Sequence, residues 1–116
     1  MALEPIIVPE VGQRKDDQRP IAASGQSFSI QEWRGSGPAY LHVHHADDEA
    51  WHVLEGTLNF TFADHAVTAE AGTTVFVPAG VPHTYEASSS ARYLIILTPR
   101  LRDLIAALHD APAEQH

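Results

Sequence analysis

Two histidines and one glutamate near the middle of the sequence could together bind a metal ion. His42 and His44 are two residues apart, and Glu49 follows them across a short polar turn. Side chains two residues apart on a β-strand point to the same face, so a strand over residues 40–44 would present both imidazoles and Tyr40 on one face. Glu49 begins the next strand, and a hairpin would bring its carboxylate alongside the imidazoles.

A third histidine, His83, is distant in sequence but directly follows a turn signal, Pro78-Ala79-Gly80. If His83 faces inward, three imidazoles and one carboxylate converge. Imidazole nitrogen with one carboxylate oxygen suits a divalent first-row metal, so the expected cofactor is a divalent iron, manganese, nickel or zinc ion. Four protein ligands on a six-coordinate ion leave two positions for water, substrate or dioxygen. The alternative is that the histidines are hydrogen-bonded core residues without a metal.

The composition restricts the partners and the redox chemistry of the chain. Its 116 residues fit one domain, and 44% hydrophobic residues suffice for a core. The absence of cysteine excludes disulfides, thiolate nucleophiles and iron–sulfur clusters. A formal net charge of −8 argues against nucleic acid as a partner. With no apolar stretch near the ~20 residues of a membrane span and no secretory signal pattern, we expect a cytoplasmic protein that does not bind membranes.

Short segments with alternating hydrophobicity follow one another from residue 26 to residue 98. Turn formers separate them, among them Asp64-His65 and Ser88-Ser89-Ser90. About eight short strands at this spacing predict an all-β sandwich or closed barrel. The predicted organisation is an N-terminal arm over 1–25, a barrel over 26–98, a C-terminal helix over 99–109 and a tail over 110–116.

The predicted C-terminal helix is the one segment with helical periodicity. Its apolar positions recur at the spacing of one helix face: Leu101, Leu104, Ile105 and Leu108. Thr98 can cap this helix, and Pro99 then takes the first helical position, where its missing N–H costs nothing. We expect the helix to cover the barrel or a subunit contact rather than to take part in chemistry.

The spacing of the candidate ligands resembles the two motifs of the cupin superfamily. The matching segments are His42-x-His44-x4-Glu49-x6-Gly56 and Gly72-x5-Pro78-x-Gly80-x2-His83. The resemblance covers about residues 37–87 and implies that His42, His44, Glu49 and His83 are metal ligands. It also implies a cupin-type double-stranded β-helix, a jelly-roll barrel, here followed by a short C-terminal α-helix. Small proteins of this kind are often homodimers, so a homodimer is expected.

Two positions depart from the family pattern. Gly37 stands four residues before His42 where five is usual, and Ala87 stands where the second motif usually ends in Asn. Neither change removes a ligand, and the missing Asn puts only a hydrogen bond in doubt. The motif glycines are expected to adopt positive φ in tight turns.

Aromatic side chains are expected to line the pocket around the ion. Tyr40, Trp51 and Tyr85 share the alternation phase of the ligands, so they are predicted pocket walls. A hydroxyl of Tyr40 or Tyr85 could position a substrate or donate a proton, which makes these two the candidate catalytic residues. Phe60 and Phe62 complete the predicted pocket lining.

Other residues near the ligands are interpreted as structural or solvated. Phe76 is expected in the barrel core, His52 on the face opposite the ligands, and His65 in an exposed turn. Asp47 and Asp48 are interpreted as a solvated turn, with the alternative that one of them orients a ligand imidazole.

The resemblance leaves the reaction open, because cupins include dioxygenases, decarboxylases, isomerases and binding proteins. A divalent ion held by one carboxylate would leave the site near +1, which favours a small anionic or bidentate oxygen ligand. The first hypothesis is an oxygen-dependent, dioxygenase-like enzyme or a Lewis-acid enzyme acting on a small oxygen-rich molecule. The second is a non-enzymatic module that binds or senses such a molecule, and the third is a barrel with a vestigial site.

Overall fold

The computed structural model describes residues 4–7 and 21–110, and of residues 106–110 only the backbone. Within these ranges eight strands precede one helix. They are β1 (Ala22–Ser24), β2 (Ser29–Trp33), β3 (Glu49–Glu55), β4 (Thr57–Phe62), β5 (Ala66–Glu70), β6 (Thr74–Val77), β7 (His83–Ala87), β8 (Arg92–Leu97) and α1 (Pro99–Asp110). The all-β class and the C-terminal helix are therefore confirmed.

The strands form two antiparallel sheets that enclose the core. One sheet has the order β1-β2-β8-β3-β6 and the other the order β5-β4-β7. Trp51 of β3 bridges them, with its ring centroid 5.0 Å from that of Phe60 on β4 and 5.4 Å from that of Tyr85 on β7. Side chains from the inner faces of the two sheets therefore pack directly against each other.

The inner faces follow the alternation that the sequence predicts. On β3, Trp51 and Val53 are buried, whereas His52 between them lies on the outer face and is only half-buried. On β8, Tyr93 and Ile95 are buried on the same inner side. Burying one large apolar side chain of this kind contributes roughly 1.5–3 kcal/mol, so these two strands carry much of the driving force for folding.

The prediction of a strand over residues 40–44 is wrong. Only His42 makes a β-bridge in this stretch, and its partner is His83. Earlier in the same segment, the N–H of Gly37 donates to the carbonyl of Tyr85 at 3.0 Å. Gly37 and His42 are farther apart in sequence than their partners Tyr85 and His83 on β7. The chain between Gly37 and His42 therefore bulges away from β7. One residue of this bulge is a proline, which has no N–H for a ladder.

Phe76 was expected in the core and is instead 62% exposed. The inner positions of β6 are taken by Val75 and Val77, which pair with Trp51 and Glu49 of β3. Successive side chains on a strand point to opposite faces, so Phe76 must lie outside. The alternation of apolar residues with a period of two predicted this strand correctly, but the alternation does not show which face of the strand is the inner one.

The sheet also begins earlier than predicted. β1 falls inside the segment 1–25 that was expected to be an arm, and it pairs with β2 in antiparallel register. The described residues 4–7 of that segment have no regular secondary structure. Most of the predicted tail, residues 111–116, lies outside the described residues.

Gly56 makes the tight connection between β3 and β4, as the sequence predicts. Its φ is +70°, a conformation that side-chain-bearing residues rarely adopt. A Cβ at this position would also lie 2.6 Å from the Ser88 hydroxyl oxygen and 2.7 Å from the Ala91 Cα. Both its conformation and its close packing therefore require glycine.

The start of α1 has the predicted cap. The hydroxyl of Thr98 accepts a hydrogen bond from the N–H of Leu101 at 3.1 Å, which satisfies one of the free donors of the first turn. Leu101 is buried and Ile105 packs against the same core, so the helix covers one end of the barrel. No helix in the described part of the chain is both long and apolar enough to cross a membrane.

Candidate metal centre

Three imidazoles converge where β3 and β7 begin. One ring nitrogen from each of His42, His44 and His83 lies within 4.8 Å of the others. His42 and His83 exchange two backbone hydrogen bonds of 3.0 and 2.9 Å, and their ring centroids are 4.3 Å apart. The structure thus brings together three side chains from two distant segments, as the motif spacing predicts.

Glu49 contributes a buried carboxylate to the same cluster. As the first residue of β3 it shares the inner face with Trp51, and it is only 4% exposed. Its Oε1 lies 3.1 Å from Nε2 of His83 and 3.6 Å from Nε2 of His44. Glu49 therefore contacts two of the three imidazoles from the buried side, whereas the cluster in which all ligand atoms lie within 4.8 Å of one another comprises the three histidines.

The hydrogen bond from Nδ1 of His83 determines where the proton of the neutral ring lies. Nδ1 of His83 lies 2.9 Å from the carbonyl oxygen of Val81. A carbonyl can only accept, so Nδ1 carries the N–H, and in a neutral ring Nε2 is then a lone pair. This lone pair faces the Glu49 carboxylate at 3.1 Å. Two acceptors at this distance need a proton or a cation between them.

His44 and His42 direct further nitrogen atoms to the same point. The Nε2 of His44 is buried and has no hydrogen-bond partner in the described part of the chain. Nδ1 of His42 lies 3.4 Å from the Tyr40 carbonyl, which again assigns the N–H to Nδ1 and leaves a lone pair on Nε2. A buried nitrogen without a partner, such as Nε2 of His44, costs about 1–3 kcal/mol unless something satisfies it.

The electrostatic environment keeps two of the imidazoles neutral. Burial lowers the pKa of His42 and of His44, and the neighbouring His83 lowers both further. Burial also acts to lower the pKa of His83, but its hydrogen bonds to Glu49 and Val81 outweigh that effect and the pKa is raised. His42 and His44 thus have their lone pairs available near neutral pH.

The donor set fits a divalent first-row metal. Three imidazole nitrogens and one carboxylate oxygen are ligands that such ions accept, and the unpartnered Nε2 of His44 and the facing pair of His83 and Glu49 are the groups a cation would satisfy. The residues that would hold the ion are His42, His44, Glu49 and His83.

An aromatic wall packs beneath the cluster. The Trp51 ring meets the His83 ring edge-on, with centroids 5.5 Å apart, and Phe60 packs behind Trp51. Phe62 pairs with His83 across β4 and β7 and is half-buried. Trp51 therefore lies against the cluster and Phe62 beside it, whereas Phe60 is fully buried behind Trp51.

The hydroxyl of Tyr85 is already engaged in a chain of hydrogen bonds. The Tyr93 hydroxyl donates to the carbonyl of Gly35, so it is Tyr85 that donates to Tyr93, at 3.0 Å. Burial raises the pKa of Tyr85, so it stays protonated. Gly37 packs against the same ring, because a Cβ there would lie 2.6 Å from Tyr85 Cε1. The ring of Tyr85 is thus fixed in the aromatic wall by its hydrogen bond to Tyr93 and its packing against Gly37.

Tyr40 lies at the rim rather than in the wall. Its side chain is 49% exposed, and its ring meets the His42 ring edge-on with centroids 6.3 Å apart. The bulge that replaces the predicted strand explains this position. Tyr40 therefore combines an exposed side chain with a contact to the His42 ring.

Two further histidines, His52 and His65, are directed away from the cluster. His52 lies on the outer face, with Nδ1 2.7 Å from the hydroxyl of Thr74. His65 lies in the turn after β4, with Nδ1 2.6 Å from the carboxylate of Asp64. Both placements agree with the sequence interpretation.

Asp47 and Asp48 hold backbone and helix groups rather than an imidazole. Asp47 accepts hydrogen bonds from Thr98 and Arg100, and Asp48 accepts one from the N–H of Ala79. The sequence interpretation considered only solvent or an imidazole as their partners. The contacts link residues 31 to 53 positions apart, which no local pattern reveals.

Sequence reasoning also missed Val81 and Tyr93. Val81 acts through its carbonyl, which carries no side-chain signal. Tyr93 was detectable, because it shares the inner alternation phase of Ile95 on the same strand.

Comparison with known proteins places this geometry in a family. The family model described as cupin domain matches residues 29–97, which include β2 to β8 and all four candidate ligands. A comparison with curated protein sequences found no significant match.

Solved structures with the same fold span much of the chain. A cupin-2 domain containing protein from Shewanella frigidimarina is 27% identical, with a TM-score of 0.57 over 73% of this chain and 84% of that one. A protein from Neisseria meningitidis is 21% identical, with a TM-score of 0.59 over 82% and 99%. Pac13 from Streptomyces, a nucleoside dehydratase, is 18% identical, with a TM-score of 0.56 over 66% and 62%.

Proposed function

The chain belongs to the cupin domain family, and on that basis we propose that it is a metal-dependent cupin that acts on a small oxygen-rich molecule. His42, His44, Glu49 and His83 hold the metal in this proposal. The observation that carries it is the buried Nε2 of His44, which lies unpartnered beside the facing nitrogen and oxygen of His83 and Glu49. Such an arrangement is costly for a structural core and suited to a cation.

The chemistry of the ligands favours an anionic substrate. A divalent ion bound by three neutral imidazoles and one carboxylate supplies a net charge near +1 and Lewis acidity at its open positions. A carboxylate or an enolate matches that charge, and a neutral vicinal diol can bind through its two oxygens. The overall negative charge of the chain, −8, is no obstacle because the attraction is local.

The chain's own residues complete the proposed pocket. Trp51 and Phe60 exclude water on the buried side of the cluster, and Phe62 offers an apolar surface beside His83. Tyr40, half-exposed next to His42, is the better placed of the two candidate proton donors. Tyr85 would have to give up its hydrogen bond to Tyr93 before its proton could be transferred, so we propose that it mainly shapes the wall.

Two enzymatic reactions remain compatible with this site. An oxygen-dependent, dioxygenase-like reaction needs a redox-active ion, whereas zinc would direct the same pocket to isomerisation or hydrolysis. Pac13, which shares the fold, is a nucleoside dehydratase, a reaction without a redox step. We therefore give the Lewis-acid and the oxygen-dependent reaction equal standing until the metal is known.

A non-enzymatic binding or sensing module is the second candidate function. It is favoured by the commitment of the Tyr85 hydroxyl to Tyr93 and of the Tyr93 hydroxyl to Gly35. These bonds leave the buried side of the cluster without a ready proton donor. A centre of this kind would capture an oxygen ligand without transforming it.

Metal analysis of protein purified without a histidine tag tests the proposal. We expect one equivalent of a divalent metal in the wild type and in His52→Ala, the outer-face control, and a steep loss in His44→Ala. Oxygen uptake on diketone, phenol or enediol panels would identify the oxygen-dependent reaction, and bound metal without turnover would favour the binding module. A folded wild type that takes up no divalent ion would refute the proposal.

We further propose that the protein is a cytoplasmic homodimer that does not bind membranes. Family relatives of this size motivate the dimer, and light scattering on the purified protein measures it. A monomer at tens of micromolar would remove the dimer from the proposal without affecting the metal centre.

A further inference from the structure

We propose that Asp47 and Asp48 form a clamp that positions the metal ligands, joining the turn before β3 to the turn before β7 and to the start of α1. This inference rests on the proposed metal function and extends it to two residues that touch no ligand atom. This aspartate clamp consists of Asp47 and Asp48 with their hydrogen-bond partners.

Asp48 forms one half of a reciprocal link between the two turns. Its Oδ1 accepts a hydrogen bond from the N–H of Ala79 at 2.9 Å. In the opposite direction, the N–H of Gly80 donates to the carbonyl of His44 at 2.8 Å. One bond runs from each turn to the other, so neither turn can shift without breaking both.

The link lies between the ligands in sequence and fixes their spacing. Asp48 directly precedes Glu49 and follows His44 by four residues, and Ala79 precedes His83 by four residues. The backbone bridge between His42 and His83 fixes the other side of the cluster. The two ligand segments are therefore tied together on both sides of the point where their side chains meet.

Asp47 anchors this link on the helix. Its Oδ1 accepts from the Thr98 hydroxyl at 2.8 Å, and its carboxylate accepts from the Arg100 guanidinium at 3.1 Å. Thr98 in turn accepts from the N–H of Leu101 at 3.1 Å. Leu101 is buried in the core, so the turn before β3 is connected through Asp47 to a rigid part of the molecule.

The turn that carries the aspartates needs such support. Between His44 and Glu49 the chain has no regular secondary structure, so it contributes no ladder of backbone hydrogen bonds. A hydrogen bond that restrains this turn contributes about 0.5–1.5 kcal/mol, and it would hold the ligands in the arrangement that binds the metal. Residues that hydrogen-bond a metal ligand directly typically change metal affinity by about 10–100-fold when replaced, and we expect an effect near the lower end of that range from the clamp, which acts through the backbone of the two turns.

The test measures Zn²⁺ affinity by competition with a chromophoric chelator in the full-length protein. Asp48→Ala removes the acceptor for Ala79, and we expect Zn²⁺ affinity to fall by about tenfold or more. Asp48→Asn keeps the oxygen acceptor but removes the charge, and we expect it to bind nearly as well as the wild type. Asp64→Ala, another turn aspartate, is the matched control and should bind normally.

Each other outcome overturns the clamp. Wild-type affinity in Asp48→Ala would show that the bond does not position the ligands, and equal weakening in Asp48→Ala and Asp48→Asn would assign the effect to charge. If Asp48→Ala does not fold, Asp48→Glu supplies the test, because it keeps the charge and displaces the acceptor by one methylene. We expect it to bind more weakly than Asp48→Asn.

A second measurement separates the clamp from the proposed function. Amide hydrogen exchange of Ala79 in metal-free protein should accelerate in Asp48→Ala and stay slow in Asp48→Asn. If the wild type binds no Zn²⁺, the proposed function fails while this exchange result still tests the clamp. Unchanged exchange at Ala79 in Asp48→Ala overturns the clamp whether or not metal binds.

Discussion

The Nε2 atom of His83 lies 3.1 Å from the Oε1 atom of Glu49, and the two side chains are only 1% and 4% exposed. Because the Nδ1–H of the same ring is donated to a carbonyl, this contact needs either a protonated imidazole or a bound cation. A core built for stability alone would avoid such a pair, since burying an ion pair seldom repays its desolvation. A cation that binds the neighbouring imidazoles could satisfy this pair, and so could a proton on His83, whose pKa is raised by its hydrogen bonds to Glu49 and Val81 despite burial.

Glu49→Gln should separate the stability of this pair from its role in binding metal. The amide NH₂ of glutamine can donate to the His83 lone pair, so the metal-free variant should be at least as stable as the wild type at pH 8. Replacing a residue that only supports the ligands typically lowers metal affinity by about 10–100-fold. Because Glu49→Gln removes a charged ligand itself, its affinity for Zn²⁺ should fall by more than that. Thermal unfolding with a chelator and Zn²⁺ titration measure the two effects. Wild-type Zn²⁺ affinity in this variant would remove Glu49 from the ligand set.

Gly37→Ala should destabilise the wall beneath the metal centre. The added Cβ would lie 2.6 Å from Tyr85 Cε1, so the ring must move or the segment must leave β7. Overpacking of this kind costs about 1–3 kcal/mol, measurable by urea unfolding. Gly25→Ala is the matched control, because its nearest neighbour would be at an ordinary 3.5 Å. Equal stability of the two variants would contradict the tight packing of Gly37 on Tyr85.

The cluster itself was predictable because motif spacing encodes it directly. His42 and His44 share a face on any extended segment, and the turn glycines before β4 and β7 adopt the positive φ that the sequence predicts. The helix was equally predictable, since its apolar period and its Thr98 cap are local signals. The helix and the pairing of His42 with His44 depend on interactions within a few residues, whereas the placement of His83 rested on the resemblance to the cupin motifs.

The errors arose where distant partners decide the outcome. The segment before His42 fails to form a strand because its hydrogen bonds go to separated residues of β7. Phe76 lies outside because Val77 pairs with Glu49 on the inner face, and period two alone cannot choose between the faces. The partners of Asp47 and Asp48 are likewise set by topology, which a single sequence does not display.

Thr98→Val should weaken both the helix cap and the turn before β3. The variant removes the acceptor for the Leu101 N–H and the donor to Asp47, and loss of a threonine cap costs about 0.5–2 kcal/mol. The Thr98 hydroxyl, followed by Arg100, holds the pKa of Asp47 below its usual value.

The depressed pKa of Asp47 gives this variant a pH signature. A lowered folded-state pKa contributes stability above the unfolded value of about 3.9, and that contribution is lost as the pH falls through the folded value. The stability gap between wild type and Thr98→Val should therefore narrow in acid, as followed by urea unfolding from pH 7 to pH 3. A gap that is constant across this range would mean that the hydroxyl acts on the helix alone.

Tyr93→Phe should change how the protein responds to alkali. Burial raises the pKa of Tyr93, and the neighbouring Tyr85 raises it further, while burial also raises the pKa of Tyr85 itself. Groups with raised folded-state pKa values contribute stability that is present below the unfolded value of about 10 and is lost as the pH rises towards the folded value. Each such phenol steepens the decline by up to about 1.4 kcal/mol per pH unit. Removing Tyr93 should therefore make the decline between pH 10 and pH 11 shallower. It should also lower the stability at pH 8, because the Gly35 carbonyl loses its donor. Urea unfolding at each pH measures both effects, and an unchanged alkaline slope would show that Tyr93 ionises as readily in the folded protein as in the unfolded chain.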